Sequence, residues 1–275
     1  MPDEHYTHGH VDSVLRSHRW RNADNSARYL LPELHRRTSI LDVGCGPGNI
    51  TIDLARRVSP GRVVGLDSSK MVIAEAIARG ADVDVDVEWQ VGDVYRLPFA
   101  EGTFDVVHAH QVLQHLGDPV SALLEMKRVA RVGGIVAARD SDYSSWSWFP
   151  DLPALDRWRE MFIAVTRANA GEPEAGRYMV AWAHRAGFEE VRTSVTCWCF
   201  TTPEDVAWWS DIWAERVTGS PLAERAVELG IETEAGLEVI AEGWRRWAEH
   251  PDAYMSAPST EILCAVRGGD QPKDR

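Results

Sequence analysis

Six side chains in or just after apolar runs carry the chemistry this sequence could do. Asp42 stands inside Leu41-Asp-Val-Gly-Cys-Gly-Pro-Gly48, Asp67 closes Arg62-Val-Val-Gly-Leu-Asp67, and Asp93 follows Gly92. His110 ends Phe104-Asp-Val-Val-His-Ala-His110, with Gln111 and His115 beyond it. A carboxylate at the end of a strand can accept from both hydroxyls of a ribose, the role open to Asp67. Asp93 can accept from the exocyclic amine of a base, with Met71 and Val94 offering apolar faces to the ring. An acid in such a place is also a common helix cap, so each assignment has a plain structural rival.

The glycines decide which nucleotide suits the turn. Gly44, Gly46 and Gly48 have no Cβ, so the turn can take positive φ and a ligand can touch bare backbone. A dinucleotide turn wants G-x-G-x-x-G and a helix N-terminus free for pyrophosphate. Here the spacing is G-x-G-x-G, and Asp42 beside it would repel phosphate but suit an ammonium or sulfonium. A positively charged nucleoside therefore fits better than NAD.

The elements that must position these residues alternate. Strands are expected at 39–44, 62–67, 85–91, 104–110 and 134–140, with helices near 48–58, 69–79 and 119–131 between them. Asp118 can cap the last of these helices and Pro119 sits at its first position. Such alternation means a mostly parallel sheet with helices on both faces, where ligands bind beyond the carboxyl ends of the strands. Before the first strand, two amphipathic helices are expected. One carries Val11, Val14, Leu15 and His18, and one runs from a cap at Asn25 or Ser26 through Leu34. Beyond Asp140 come an aromatic, turn-rich stretch to Pro153, helices near 154–169 and 177–187, and a strand over 189–200. Thr202-Pro-Glu-Asp205 then starts a helix carrying Trp209 and Trp213, a later helix carries Trp244 and Trp247, and 261–267 reads as the final strand.

The net charge of −13 argues against a general nucleic-acid binder. No apolar run is long enough to span a membrane, and the expectation is a soluble cytoplasmic protein. Cys45, Cys197, Cys199 and Cys264 show no paired spacing and read as reduced core thiols, with Cys197 and Cys199 on one face of a strand. His5, His8 and His10 lack a matching carboxylate or cysteine pattern, so no metal site is expected.

Taken together, Leu41-Asp-Val-Gly-Cys-Gly-Pro-Gly48, Gly65-Leu-Asp67-Ser-Ser, Gly92-Asp93 and Phe104-Asp-Val-Val-His-Ala-His110 resemble the motif series of class I S-adenosylmethionine-dependent methyltransferases. Within them the chain is similar to the ubiquinone/menaquinone-biosynthesis methyltransferase-like group, also through Arg19-Trp-Arg-Asn-Ala-Asp-Asn-Ser-Ala-Arg-Tyr-Leu-Leu-Pro32. The resemblance covers about residues 19–140 and is specific for the cofactor, not for the substrate. It implies an α/β, Rossmann-like sheet of seven strands in the order 3-2-1-4-5-7-6, the last strand antiparallel. Residues 1–38 would form an N-terminal helical cap, 39–200 with 260–268 the core, and 202–250 a helical lid insertion. The cofactor implied is S-adenosyl-L-methionine, with S-adenosyl-L-homocysteine as product. Asp42, Gly44, Cys45 and Gly46 would face the methionine part, Asp67 the ribose, and Ser68, Met71, Gly92, Asp93 and Val94 the adenosine.

The resemblance places His110, Gln111 and His115 near the methionyl end. Either histidine could orient the cofactor or act as a base, since imidazole titrates near neutrality. Asp140, Asp142 and Tyr143 are further candidates for acceptor binding. Tyr143, Trp146, Trp209 and Trp213 would wall a site for a small aromatic or apolar acceptor, although large aromatics as often only pack helices together. A protein that binds the cofactor without transferring methyl, and more distantly an NAD-dependent oxidoreductase, are the rival readings. The N-terminal helices could cover a neighbour's pocket as easily as their own, so a homo-oligomer remains open.

Overall fold

The structure is a computed structural model and describes residues 7, 12–81 and 83–268. His5, His8, His10 and Val11 lie outside the described residues. The parallel core is built from β1 (Ile40–Val43), β2 (Val63–Asp67), β3 (Glu88–Val91), β4 (Phe104–His110) and β5 (Ala130–Ser141). Between these strands run α3 (Asn49–Val58), α4 (Lys70–Ala81) and α5 (Pro119–Val129). Two helices precede the core, α1 (Asp12–Trp20) and α2 (Ala23–Ser26). After it come β6 (Ser147–Phe149), α6 (Pro153–Ala168), α7 (Ala175–Arg185), β7 (Val191–Phe200), α8 (Pro203–Thr218), α9 (Pro221–Glu228), α10 (Glu234–Ala248) and β8 (Tyr254–Ala265).

The sheet order is β3-β2-β1-β4-β5-β8-β6, with β7 also pairing β8. Leaving aside the short β6, this is the expected 3-2-1-4-5-7-6 arrangement with an antiparallel final strand. The sheet has one more strand than expected because β5 breaks after Ser141, and β6 resumes its place along the first residues of β8. Strand β8 begins at Tyr254, well before the expected 261, since it pairs with β7 from Cys264 back to Met255. Strand β1 lies between β2 and β4, both parallel to it, and the chain changes direction of travel across the sheet there. That switch point opens a crevice beyond the carboxyl ends of β1 and β4.

Local chemistry explains the boundaries. The Asp118 side chain accepts from the Ser121 amide at the start of α5, and Ala122, Leu123, Met126 and Val129 bury one face. Thr202 caps α8 by accepting from the Asp205 amide, as its sequence implied. The second N-terminal helix departs from expectation: Asn22, not Asn25 or Ser26, is its cap, in a reciprocal pair with Asn25. This helix ends at Ser26, and only a short 3-10 turn over Leu31–Glu33 follows. The segment between β7 and β8 holds three helices rather than two.

Two hydrophobic layers flank the sheet. Helices α5 and α7 cover one face through Leu41, Val43, Val107, Ala109, Met126 and Met179. On the other, Ala23, Ala27, Leu30 and Leu54 cover Ile40, Val106 and Ala137. A third, aromatic layer joins α6, α8, α9 and α10 to the carboxyl ends of β5 and β7 and the start of β8. Burying such large rings contributes more to stability than any other contact in that layer. Cys45 and Cys264 are buried, but Cys197 and Cys199 are exposed, which corrects the core assignment for that pair.

Candidate active site

Gly44, Gly46 and Gly48 take φ values of 65°, 56° and 86°. These left-handed angles let the chain leave β1, turn and enter α3 within a few residues. A Cβ on Gly44 would lie 2.4 Å from Val112, and one on Gly48 would lie 2.5 Å from the Trp89 ring. The turn is held from the next strand: Asp67 accepts from the Gly46 amide at 3.1 Å and from the Ser69 amide at 2.9 Å.

The turn forms one wall of a cavity of about 350 Å3 at the switch point. Asp42, Gly44, Cys45 and Gly46 line it from β1 and the turn, Asp67 and Ser68 from the end of β2. Gly92, Asp93 and Val94 line it beyond β3, and His110, Gln111 and His115 beyond β4. Asp93 caps no helix; it accepts from the Tyr95 amide at 2.9 Å within a turn while lining the cavity. Gln111 is held at φ 53°, unusual for a side chain with a Cβ, and its amide donates to the Arg139 carbonyl at 2.7 Å.

Several expectations change. Met71 is 60% exposed and does not line the cavity; its neighbour Val72 does, because the face of α4 turned to the sheet carries Val72, Ile73 and Ala76. Asp42 reaches the cavity, yet both its oxygens are engaged below it. One accepts from His108 Nδ1 at 2.7 Å and the other from Thr51 Oγ1 at 2.5 Å. Tyr143, Trp146, Trp209 and Trp213 do not line the cavity at all; they are packed among themselves and α6 in the aromatic layer. Asp142 is paired with Arg177, and Asp140 accepts from the Gln114 amide.

Sequence reasoning missed His18 and Arg21, which line the cavity from the N-terminal segment. An amphipathic helix preceding the core was the signal, since its polar residues needed something to face. The helix covers the cavity of its own chain and is tied to α8 by Arg16 to Glu215 and by Arg216 to Ser13 and Ser17. Trp20 and Trp198 were also missed. Their rings meet at 5.2 Å, and Trp198 lies 5.8 Å from His110, linking the cavity to the aromatic layer.

Burial keeps the imidazoles neutral. The His110 imidazole is pushed well below the usual histidine range by burial, with Arg139 and Arg21 adding to the effect. His115 is lowered to about 3, again chiefly by burial. Asp140, behind them, is pushed up to about 7 by burial despite the backbone amides it accepts from.

Comparison with known proteins agrees with this geometry. Residues 41–138 match the family described as Methyltransferase domain. An uncharacterised methyltransferase of Schizosaccharomyces pombe is 33% identical over 257 residues, spanning 90% of this chain and 91% of that protein. The chain belongs to the class I S-adenosylmethionine-dependent methyltransferases. The methyltransferase is also 34% identical over 127 residues to a demethylmenaquinone methyltransferase of Lactococcus lactis, spanning 46% of this chain and 48% of that one. Among solved structures, the YcgJ protein from Bacillus subtilis shares its fold with a TM-score of 0.57 at 16% identity, over 88% of this chain and 98% of that one.

The residues present suit the family's cofactor. Bare glycine backbone, the Asp67 carboxylate at the end of β2 and apolar Val72 and Val94 surround one continuous cavity. Among the described residues no group of three His, Cys, Asp or Glu could hold a metal, and no helix is long and apolar enough to cross a membrane.

Proposed function

We propose that this methyltransferase transfers the methyl group of S-adenosyl-L-methionine to a small aromatic or apolar acceptor, quinone-like or a secondary metabolite. One observation carries the reading: a single cavity has the glycine turn and Asp67 on one wall, and His110, His115 and Gln111 on the other. The donor supplies a methyl group already activated on a sulfonium, so the chain must chiefly hold the two molecules in line. Asp67, Asp93 and the turn hold the nucleoside end. His18 and Arg21 close the cavity above it.

The acceptor side is assigned to the region between His110 and the aromatic layer, where Trp198 packs beside His110 and meets Trp20 edge to face. A neutral His110 accepts a hydrogen bond from an acceptor hydroxyl, or orients the donor. Helices α8 to α10 act as a lid that, with α1, excludes water from this region. The partial likeness to a demethylmenaquinone methyltransferase supports a quinone-like acceptor.

Incubation with methyl-labelled S-adenosyl-L-methionine and a panel of hydroxyquinones, phenols and aliphatic amines tests the reading. Label should enter the aromatic members as S-adenosyl-L-homocysteine forms. Label in the amines alone would overturn the acceptor class. Tight cofactor binding with no transfer to any of the three classes would favour a cofactor-binding protein without methyl transfer.

A further inference from the structure

The sheet face beneath the N-terminal segment carries a row of polar residues where a core normally carries apolar ones. His110 on β4 is the register partner of Arg139 on β5, Arg139 of Glu261 on β8, and Glu261 of Ser194 on β7. Each is a neighbour of the next on one face of the sheet. One pleat back on the same face stand His108, Ala137 and Leu263, and one pleat further back the apolar Ile40, Val106 and Ile135.

The row is unevenly satisfied. Glu261 accepts from Ser194 and Thr196, and Arg139 Nε donates to Thr196 at 3.2 Å and lies 3.4 Å from Glu261. Each carboxylate oxygen is therefore already engaged by a hydroxyl. Yet Arg139, 0% exposed, has neither Nη1 nor Nη2 in a hydrogen bond, and the guanidinium lies over the Trp198 ring at 4.7 Å. Nearby, the Tyr29 hydroxyl and both ring nitrogens of His110 are buried without partners. Leaving so many donors unpaired in the interior is costly, and a guanidinium most of all. A group rich in acceptor oxygens would satisfy Nη1 and Nη2 together through the planar fork that only arginine presents.

Access follows from His110. It lines the cavity, is the register neighbour of Arg139, which does not line it, and has its ring 5.8 Å from Trp198. Because neither nitrogen is held, the ring can turn aside without breaking a hydrogen bond.

We infer that Arg139 is an acceptor-binding residue that takes an anionic oxygen of the methyl acceptor, a carboxylate or a phenolate, with the Trp198 ring packed against the guanidinium. This deepens the acceptor assignment proposed above and rests on it. It selects, among aromatic acceptors, those that carry a negative charge on oxygen.

The test uses protein saturated with S-adenosyl-L-homocysteine and nitrogen NMR of labelled histidines, with His110 assigned from the His110→Asn variant. Formate, 4-nitrophenolate and the uncharged formamide are the probes. Either anion should shift the His110 signals saturably and formamide should not. A response to formate alone specifies a carboxylate, and a response to 4-nitrophenolate specifies a phenolic oxygen. Arg139→Gln should weaken the anion on the order of tenfold or more, and Arg139→Lys should weaken it less. No saturable shift with either anion, an equal shift with formamide, or an undiminished shift in Arg139→Gln would overturn the inference. Should Arg139→Gln fail to fold, Arg139→Met combined with Glu261→Gln removes both charges and serves the same comparison. Homocysteine-nucleoside affinity in the same samples separates the two claims: protein that binds it but ignores the anions loses only the Arg139 assignment, whereas protein that does not bind it loses the donor reading.

Discussion

The Asp42 carboxylate on β1 and the His108 imidazole on β4 meet at 2.7 Å beneath the cavity, both almost wholly buried. A carboxylate oxygen accepts, so His108 Nδ1 carries the hydrogen, and Thr51 donates to the second oxygen. The two residues are register partners, so the pair ties β1 to β4 where the switch point opens. Replacing His108 by leucine strands a buried carboxylate oxygen. The expected cost is on the order of 1–3 kcal/mol, read from denaturant unfolding. An unchanged midpoint would mean that the pair contributes nothing.

Asp67 does two jobs. It braces the glycine turn through the Gly46 amide and also lines the cavity. Asp67→Ala should therefore weaken S-adenosyl-L-homocysteine by about tenfold or more in calorimetry, as expected for charge-assisted hydrogen bonds. Unchanged affinity would remove Asp67 from the nucleoside wall.

Gly48 is constrained twice, by its φ of 86° and by Trp89 2.5 Å from where a Cβ would stand. Gly48→Ala should lower both the melting temperature and cofactor affinity. Adding Trp89→Leu should recover part of the loss, because it relieves the contact and leaves the backbone strain. Full recovery would show that φ at this position carries no cost.

Asp140 makes stability depend on pH in a direction opposite to a salt-bridged acid. Its folded pKa is raised by burial from 3.8 to about 7, so across that window the folded protein holds a proton that the unfolded chain has released. Stability from this group is then lost as pH rises through the window, and the loss is complete above it. The buried histidines act oppositely, losing stability as pH falls below the ordinary histidine value, but they are common to wild type and variant. Asp140→Asn should therefore gain on wild type steadily from about pH 4 to about pH 7 in parallel melts. A constant difference across that range would place the Asp140 pKa near its ordinary value.

His110 and His115 can be separated by kinetics. With His115 lowered to about 3, its titration should leave no inflection in the pH–rate profile around neutrality. If His110 serves the acceptor, His110→Asn should lower turnover and spare cofactor affinity; equal losses in both would assign it to the donor.

The motif residues were legible because they are local. A glycine turn with positive φ, a carboxylate closing a strand and a proline after an acid each announce themselves within a few residues. The aromatic residues were not. Tyr143 and Trp146 stand in the turn between β5 and β6, Trp209 and Trp213 on α8, and periodicity shows only that each has a buried side, not whether a cavity or another ring fills it. Met71 failed for a related reason, since one residue of difference on a helix turns a side chain by more than a quarter of a circle.

The sequence by itself determined the strand and helix alternation, the turn that shapes the nucleoside end of the cavity, and the family to which the chain belongs. Only the tertiary structure decided what gathers around His110. Arg139, Trp198, Tyr29 and His18 come from distant parts of the chain and meet only when β4, β5, β7 and the N-terminal segment pack together. Local chemistry fixes a turn, but which strands become neighbours depends on burial summed over the whole sheet, and no short stretch carries that sum.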